Sequence, residues 1–271
     1  VTQAGTAFKT ILIALTLMIA QLDKLSLLAA TANRLERLKQ LMSNFPTLKS
    51  EKTTIEIIES SQLAFQNLCL QTPDQKRTII NHLSFSISPQ ENLLIIGASG
   101  VGKSSLLRAI AGLGQSGSGV IFRPKPEEIL FLPQRPYVFQ GSLRGQLLYP
   151  QTEDNISDER LDHVLQQVNL NKLAVKRSDL DRIEDWSRIL STGEQQRLAF
   201  ARLFLYQPRY AILDESTSAL DSENEEFLYQ QLTDLKITYI SVSHRLTILK
   251  YHQYLLKLEP NQNSIVVPIP Q

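Results

Sequence analysis

Cysteine is nearly missing from this sequence: Cys69 is the only one in 271 residues. An internal disulfide and a cysteine-based zinc site are therefore excluded, and no oxidising compartment is implied. A surplus of one charge is also lacking. With 28 Lys+Arg against 27 Asp+Glu the net charge is +1, which gives nucleic acid no average attraction. Hydrophobic residues make up 42% and charged residues 20%, a balance that argues against disorder and against a multi-span membrane protein. Internal repeats and low-complexity tracts are missing too. No proline occurs before Pro46, and the only glycine before it is Gly5, so nothing breaks a helix there. The first residue is Val1, and the sequence reads as the tail of a longer chain. Its length suits one large domain or two small ones.

What is present is unevenly distributed. Residues 1–50 carry Lys9, Lys24, Arg34, Arg37, Lys39 and Lys49 against Asp23 and Glu36, a net +4 that leaves −3 for the other 221 residues. Within that piece Ile11 to Ala20 is apolar apart from Thr16. Alone this run is shorter than the ~20 residues that cross a bilayer, and it lacks the cleavage site of a signal peptide. Leu25, Leu28, Ala32, Leu35 and Met42 then recur at helical spacing. The spacing predicts a helix from about Thr6 to Met42, roughly 55 Å long. One reading makes it an amphipathic helix packed on the following domain. The other makes it the inner end of a membrane helix running into the cytosol, with its basic residues on the cytosolic side.

The boundaries expected are a membrane-helix end with its extension at 1–45, a linker at 46–62, and one domain at 63–271 with a helical subdomain near 141–206. In that domain LAFQNLCL, TIINHLSFSI, NLLIIG, EILFL, YAILD and TYISVS are strand candidates. Arg160–Val168, Gln195–Tyr206 and Glu223–Leu235 are helix candidates. The alternation predicts an α/β fold with a largely parallel core sheet.

Between an apolar strand run and a periodic helix stands Gly97-Ala98-Ser99-Gly100-Val101-Gly102-Lys103-Ser104, followed by Ser105. Glycines let the backbone turn successive N–H groups toward phosphate oxygens, and the helix N-terminus adds its dipole. Lys103 can reach the β- and γ-phosphates, and the Ser104 hydroxyl can sit on Mg²⁺. An acidic partner follows at the end of the strand Tyr210–Asp214. Asp214 is placed to hold Mg²⁺, and Glu215 to deprotonate an attacking water. A base-reading Asn-Lys-x-Asp is missing, since Asn171-Lys172 runs on into Leu173-Ala174, and this disfavours a GTPase.

Leu190-Ser191-Thr192-Gly193-Glu194-Gln195-Gln196-Arg197 resembles the signature motif of ATP-binding cassette (ABC) proteins. Other pieces then match in that family's order. Gln134 in FLPQRPY resembles the glutamine-loop residue, a contact for ATP and Mg²⁺. Asp221 in Ser218-Ala219-Leu220-Asp221 resembles the D-loop residue, and His244 the switch histidine. The resemblance implies a P-loop ABC cassette with a core sheet, an antiparallel β subdomain and a helical signature subdomain. Glu215, His244 and Lys103 are its expected catalytic residues. Ser191, Thr192, Gly193 and Glu194 would face the ATP held by a second cassette, so a homodimer is expected.

A finer resemblance, in FLPQRPYVFQGSLRGQLLYP and EDWSRILSTGEQQRLAFARLFLYQPRYAILDESTSALD, is to the peroxisomal fatty-acyl half-transporters and their bacterial counterparts. It implies a cassette on the cytoplasmic face of a membrane, either the bacterial inner membrane or a peroxisome-like organelle. ATP hydrolysis would move a hydrophobic or amphipathic cargo, fatty-acyl or cobalamin-like, with a transmembrane domain as partner and no nucleic acid. The alternative is a soluble ABC ATPase acting on nucleic acid or the ribosome. This sequence departs from the family pattern at Thr192 and Glu194, where glycine and glutamine are usual, and at Thr72, where an aromatic residue usually stacks on adenine. Trp186 matches the branch pattern DWSR and reads independently as an anchor of the helical subdomain.

Overall fold

With no proline to stop it, the N-terminal segment forms one helix, α1 (Thr2–Ser43), about 63 Å long at 1.5 Å per residue. The computed structural model describes residues 2–43, 54–114, 116–150, 156–173, 176–260 and 263–270. Pro46 and the rest of the expected linker up to residue 53 lie outside the described residues. The chain divides into two units, Val1–Lys52 and Thr53–Gln271.

By length and composition the helical stretch Gln3–Gln40 is able to cross a membrane. Its apolar side chains, Leu12, Ile13, Leu17 and Ile19 among them, are exposed, as are Leu25, Leu28 and Leu35. The hydroxyls of Thr10 and Thr16 bond back to the carbonyls of Thr6 and Leu12, which satisfies them within the helix.

The second unit begins with β1 (Glu56–Glu59), β2 (Leu63–Gln71), β3 (Thr78–Ile87), β4 (Leu93–Gly97), α2 (Lys103–Ile110), β5 (Gly117–Arg123) and β6 (Ile129–Leu132). Next come β7 (Gln140–Ser142), α3 (Leu143–Leu148), α4 (Asp158–Gln167), α5 (Arg177–Leu180), β8 (Ile183–Asp185), α6 (Trp186–Ile189) and α7 (Thr192–Tyr206). It closes with β9 (Tyr210–Asp214), α8 (Ser222–Asp234), β10 (Thr238–Val242), β11 (Tyr254–Leu258) and β12 (Ser264–Pro268). The core sheet has the order β12-β11-β4-β10-β9-β6 and is parallel except at β12. A second sheet, β1-β5-β2-β3, is antiparallel through β2 and its neighbours.

Strand β1 corrects the linker expectation, because it lies inside 46–62 yet pairs in parallel with β5 from Glu56↔Val120 to Glu59↔Arg123. Its glutamates suit a sheet edge, where charge discourages further pairing.

Two apolar clusters hold this unit together. One fills the space between the sheets around Phe65, Ile80, Leu106 and Ile212. The other joins the core sheet to the helices around Leu161, Trp186, Phe200 and Phe204. Trp186 is fully buried, and its Nε1–H donates to the Gly141 carbonyl at 2.8 Å.

His252 is buried against Tyr229 and Tyr239, and burial holds its pKa down at about 4 from an ordinary 6.5. The unfolded chain takes up a proton near 6.5 and the folded chain only near 4. Stability is therefore complete above about pH 6.5 and falls as the pH drops toward 4, by on the order of 3 kcal/mol. Denaturant midpoints at pH 7.5 and 4.5 will differ less in His252→Phe than in the parent. An unchanged difference would remove His252 as the cause.

Candidate active site

Strand β4 delivers the chain into the turn 97–102, and α2 starts directly after it. Gly102 has φ of +115°, and a Cβ there would lie 1.9 Å from Cγ2 of Ile79, so only glycine fits this last bend. Beneath it a cavity of ≈ 220 Å³ is lined by Ser99, Gly100, Gly102, Lys103, Ser104, Ser105 and Glu215. The N–H groups of the first turn of α2 have no intrahelical acceptors, as at every helix start, so this wall of the cavity carries the partial positive charge that favours an anion. Lys103 is buried, with Nζ donating to the carbonyls of Gly97 at 2.9 Å and Ala98 at 3.0 Å. Val101 turns its side chain into the core between the sheets, so its contribution to the loop is its backbone.

The acidic residues arrive from β9, which runs parallel to β10 in the same sheet. Ser104 Oγ donates to Asp214 Oδ1 at 3.1 Å. Burial pushes the Asp214 carboxyl above its ordinary range, and Ser104 opposes this. Glu215 follows with φ of +49°, and its N–H is held by the Val242 carbonyl of β10 at 3.1 Å. That left-handed conformation is unusual for a residue with a Cβ, and it belongs to a carboxylate whose two oxygens are both engaged. Gln134 Nε2 donates to one at 3.0 Å, and His244 Nε2 lies 3.3 Å from the other.

The opening of α7 is closed on itself. Glu194 accepts from Ser191 N at 2.9 Å and from Ser191 Oγ at 2.7 Å, and these bonds hold its carboxyl below the usual range, the hydroxyl chiefly. This is a capping box; the acid at position 194 serves the helix start. Ser191 and Thr192 are exposed. Asp221 caps α8 by accepting from Asn224 N at 2.8 Å, which lowers its pKa.

The family profile described as ABC transporter matches residues 80–218, more than half of the chain. The chain belongs to the ABC transporter family. It is 44% identical over 99% of its length to an uncharacterised ABC transporter ATP-binding protein of Synechocystis, of which it covers 42%. It is 36% identical over 97% of its length to the chloroplastic ABC transporter D family member 2 of Arabidopsis thaliana, of which it covers 47%. It is also 41% identical over 74% of its length to the human lysosomal cobalamin transporter ABCD4, of which it covers 35%. The chain thus spans less than half the length of these curated relatives. A bacterial Atm1-family ABC exporter solved with ATP bound shares its fold, with a TM-score of 0.65 over 85% of this chain at 21% identity.

In this ABC cassette Glu215 lines the cavity of the turn 97–102, Asp214 is joined to it through Ser104, and Gln134 and His244 are joined to it through Glu215. Gln134 is on Glu215, whereas the pair Ser104–Asp214 forms a separate cluster of hard oxygen donors that suits Mg²⁺. A cation there would also restore the anionic form that burial disfavours at Asp214. Ser191–Glu194 and Asp221 make their hydrogen bonds elsewhere. Sequence reasoning passed over Gln196, which is buried in α7 and bonds to the Gln134 carbonyl at 3.1 Å. Its signal was a polar residue at a core position of the helix.

Proposed function

We propose that the cassette hydrolyses ATP as part of an ABC half-transporter and that α1 is its connection to the membrane. The observation that carries this reading is Glu215 at the wall of the cavity that Lys103 also lines, held at its two oxygens by Gln134 and His244. Glu215 would take the proton of an attacking water, the Lys103 ammonium would meet charge on the β- and γ-phosphates, and His244 would sense the γ-phosphate. Ser104 and Asp214 would hold Mg²⁺, with the Oε1 of Gln134, whose Nε2 is the atom on Glu215, as a further oxygen donor. The ion would neutralise phosphate charge in the transition state. The opening Ser191–Glu194, exposed at Ser191 and Thr192, would face the nucleotide of a second copy, which would make a dimer the active unit. The apolar length of α1 and the basic residues Arg34, Arg37 and Lys39 in its C-terminal part support a cassette on the cytoplasmic face. They disfavour a soluble ATPase acting on nucleic acid or the ribosome. The name of the human relative, a cobalamin transporter, and the fatty-acyl resemblance both point to an amphipathic cargo.

Phosphate release by the chain in nanodiscs, measured with Mg²⁺ and ATP over a range of protein concentrations, tests this. The rate per chain should rise with concentration as dimers form. A chain that binds no ATP would end the proposal.

A further inference from the structure

Two loops are tied to a helix at one buried amide. Gln196 is 1% exposed on α7, one turn beyond the Ser191 cap. Its Nε2 donates to the Gln134 carbonyl at 3.1 Å and to Ser218 Oγ at 3.2 Å, and its Oε1 accepts from Ala219 N at 2.9 Å. Both N–H groups and the oxygen of the amide are thus used. Each partner leads further. The Gln134 side chain donates to Glu215 at 3.0 Å. The Ser218 carbonyl accepts from Arg245, beside His244, at 3.4 Å, and Arg245 pairs with fully buried Glu225 at 3.3 Å. The helix opening rests on the same segment, because a Cβ on Gly193 would lie 3.0 Å from the Ala219 carbonyl oxygen.

We propose that Gln196 is a positioning residue that fixes the Gln134 backbone and Ser218–Ala219 to α7. A displacement of the Ser191–Glu194 turn is thereby carried to the carboxylate of Glu215. The inference rests on the reading of Glu215 as the base that activates water. Hydrogen bonds are stiffer in a low-dielectric interior than in water, and a lost partner there leaves the other group unpaired. Gln196 bonds only to protein groups, so its removal should lower turnover without weakening ATP binding.

Gln196→Leu and Gln196→Glu in the full chain in nanodiscs test this by phosphate release, affinity for a fluorescent ATP analogue and amide exchange. Both variants should lose roughly 10-fold or more in kcat, with KM and analogue affinity held within about twofold. In Gln196→Leu the amides of residues 217–221 should exchange faster, because Ala219 N–H has lost its acceptor. The split between kcat and affinity separates this role from a folding defect, which would lower kcat and analogue affinity together. Parent-like kcat in Gln196→Leu, or an equal fall in analogue affinity, would overturn the proposal. If the parent releases no phosphate, the ATPase reading fails. Exchange at 217–221 then decides the link at Gln196 alone, and unchanged rates there refute it.

Discussion

Glu215→Gln should lower phosphate release by roughly 10²–10⁴-fold, the usual worth of a positioned general base, and leave ATP binding intact. Glutamine keeps the shape and the hydrogen-bonding reach of the side chain but cannot accept a proton from water. Binding would depend on other groups that line the same cavity, namely Ser99, Gly100 and Gly102 of the turn, Lys103 and Ser104. The variant should therefore hold nucleotide without consuming it, and retention of labelled ATP after rapid gel filtration should exceed that of the parent. Phosphate release within about threefold of the parent would place the base elsewhere, since so small a change lies well below what general-base catalysis contributes.

Lys103→Met should weaken ATP binding by roughly 10²–10⁴-fold through loss of two or more charge-assisted hydrogen bonds to phosphate. The same change should cost the nucleotide-free chain within about 1 kcal/mol, because two effects oppose each other. Among the described residues the hydrogen-bond acceptors of buried Lys103 are the neutral carbonyls of Gly97 and Ala98, while the Asp214 carboxylate acts on it only through space, and a desolvated cation without a direct counter-ion is itself unfavourable. Methionine keeps the apolar stem and leaves two carbonyls beside a cavity that water can enter. Thermal unfolding with and without ATP separates the two effects, since a ligand raises Tm only if the folded state binds it. Parent-like Tm without ATP and loss of the ATP-dependent rise is the expected pattern. An intact rise would show that Lys103 does not carry phosphate binding.

The parts of this site that were legible in the sequence are those made by neighbours in the chain. The turn from Gly97 to Ser104 needs only a strand before it and a helix after it, and both have apolar patterns that can be read directly. Asp214 and Glu215 follow an equally plain strand. Gln134 and His244 were recognised by resemblance to a family, and nothing in their own surroundings announces that they hold opposite oxygens of Glu215. That fact comes from β9 lying between β6 and β10 in the core sheet, which brings the ends of three separate strands to one carboxylate. Strand β5 begins Gly117-Ser118-Gly119, a run that reads as a loop, and it is a strand because β2 supplies the partner groups. Strand β1 lies in the span that reads as linker for a similar reason: with Glu56 and Glu59 at its ends it presents no buried face, and only the pairing with β5 makes it a strand.

The pair Gln195–Gln196 marks the limit most sharply. By itself the sequence determined a long proline-free apolar helix, a phosphate turn, and an acidic strand end, because each follows from local backbone geometry and periodicity. It offered no way to tell two adjacent glutamines apart. Tertiary structure decided between them: successive helical residues are turned by about 100°. Gln195 therefore meets the Leu190 and Ser187 carbonyls of the preceding turn. Gln196 points inward to the Gln134 carbonyl and Ser218–Ala219, because β6 and β9 carry those two segments to the buried side of α7.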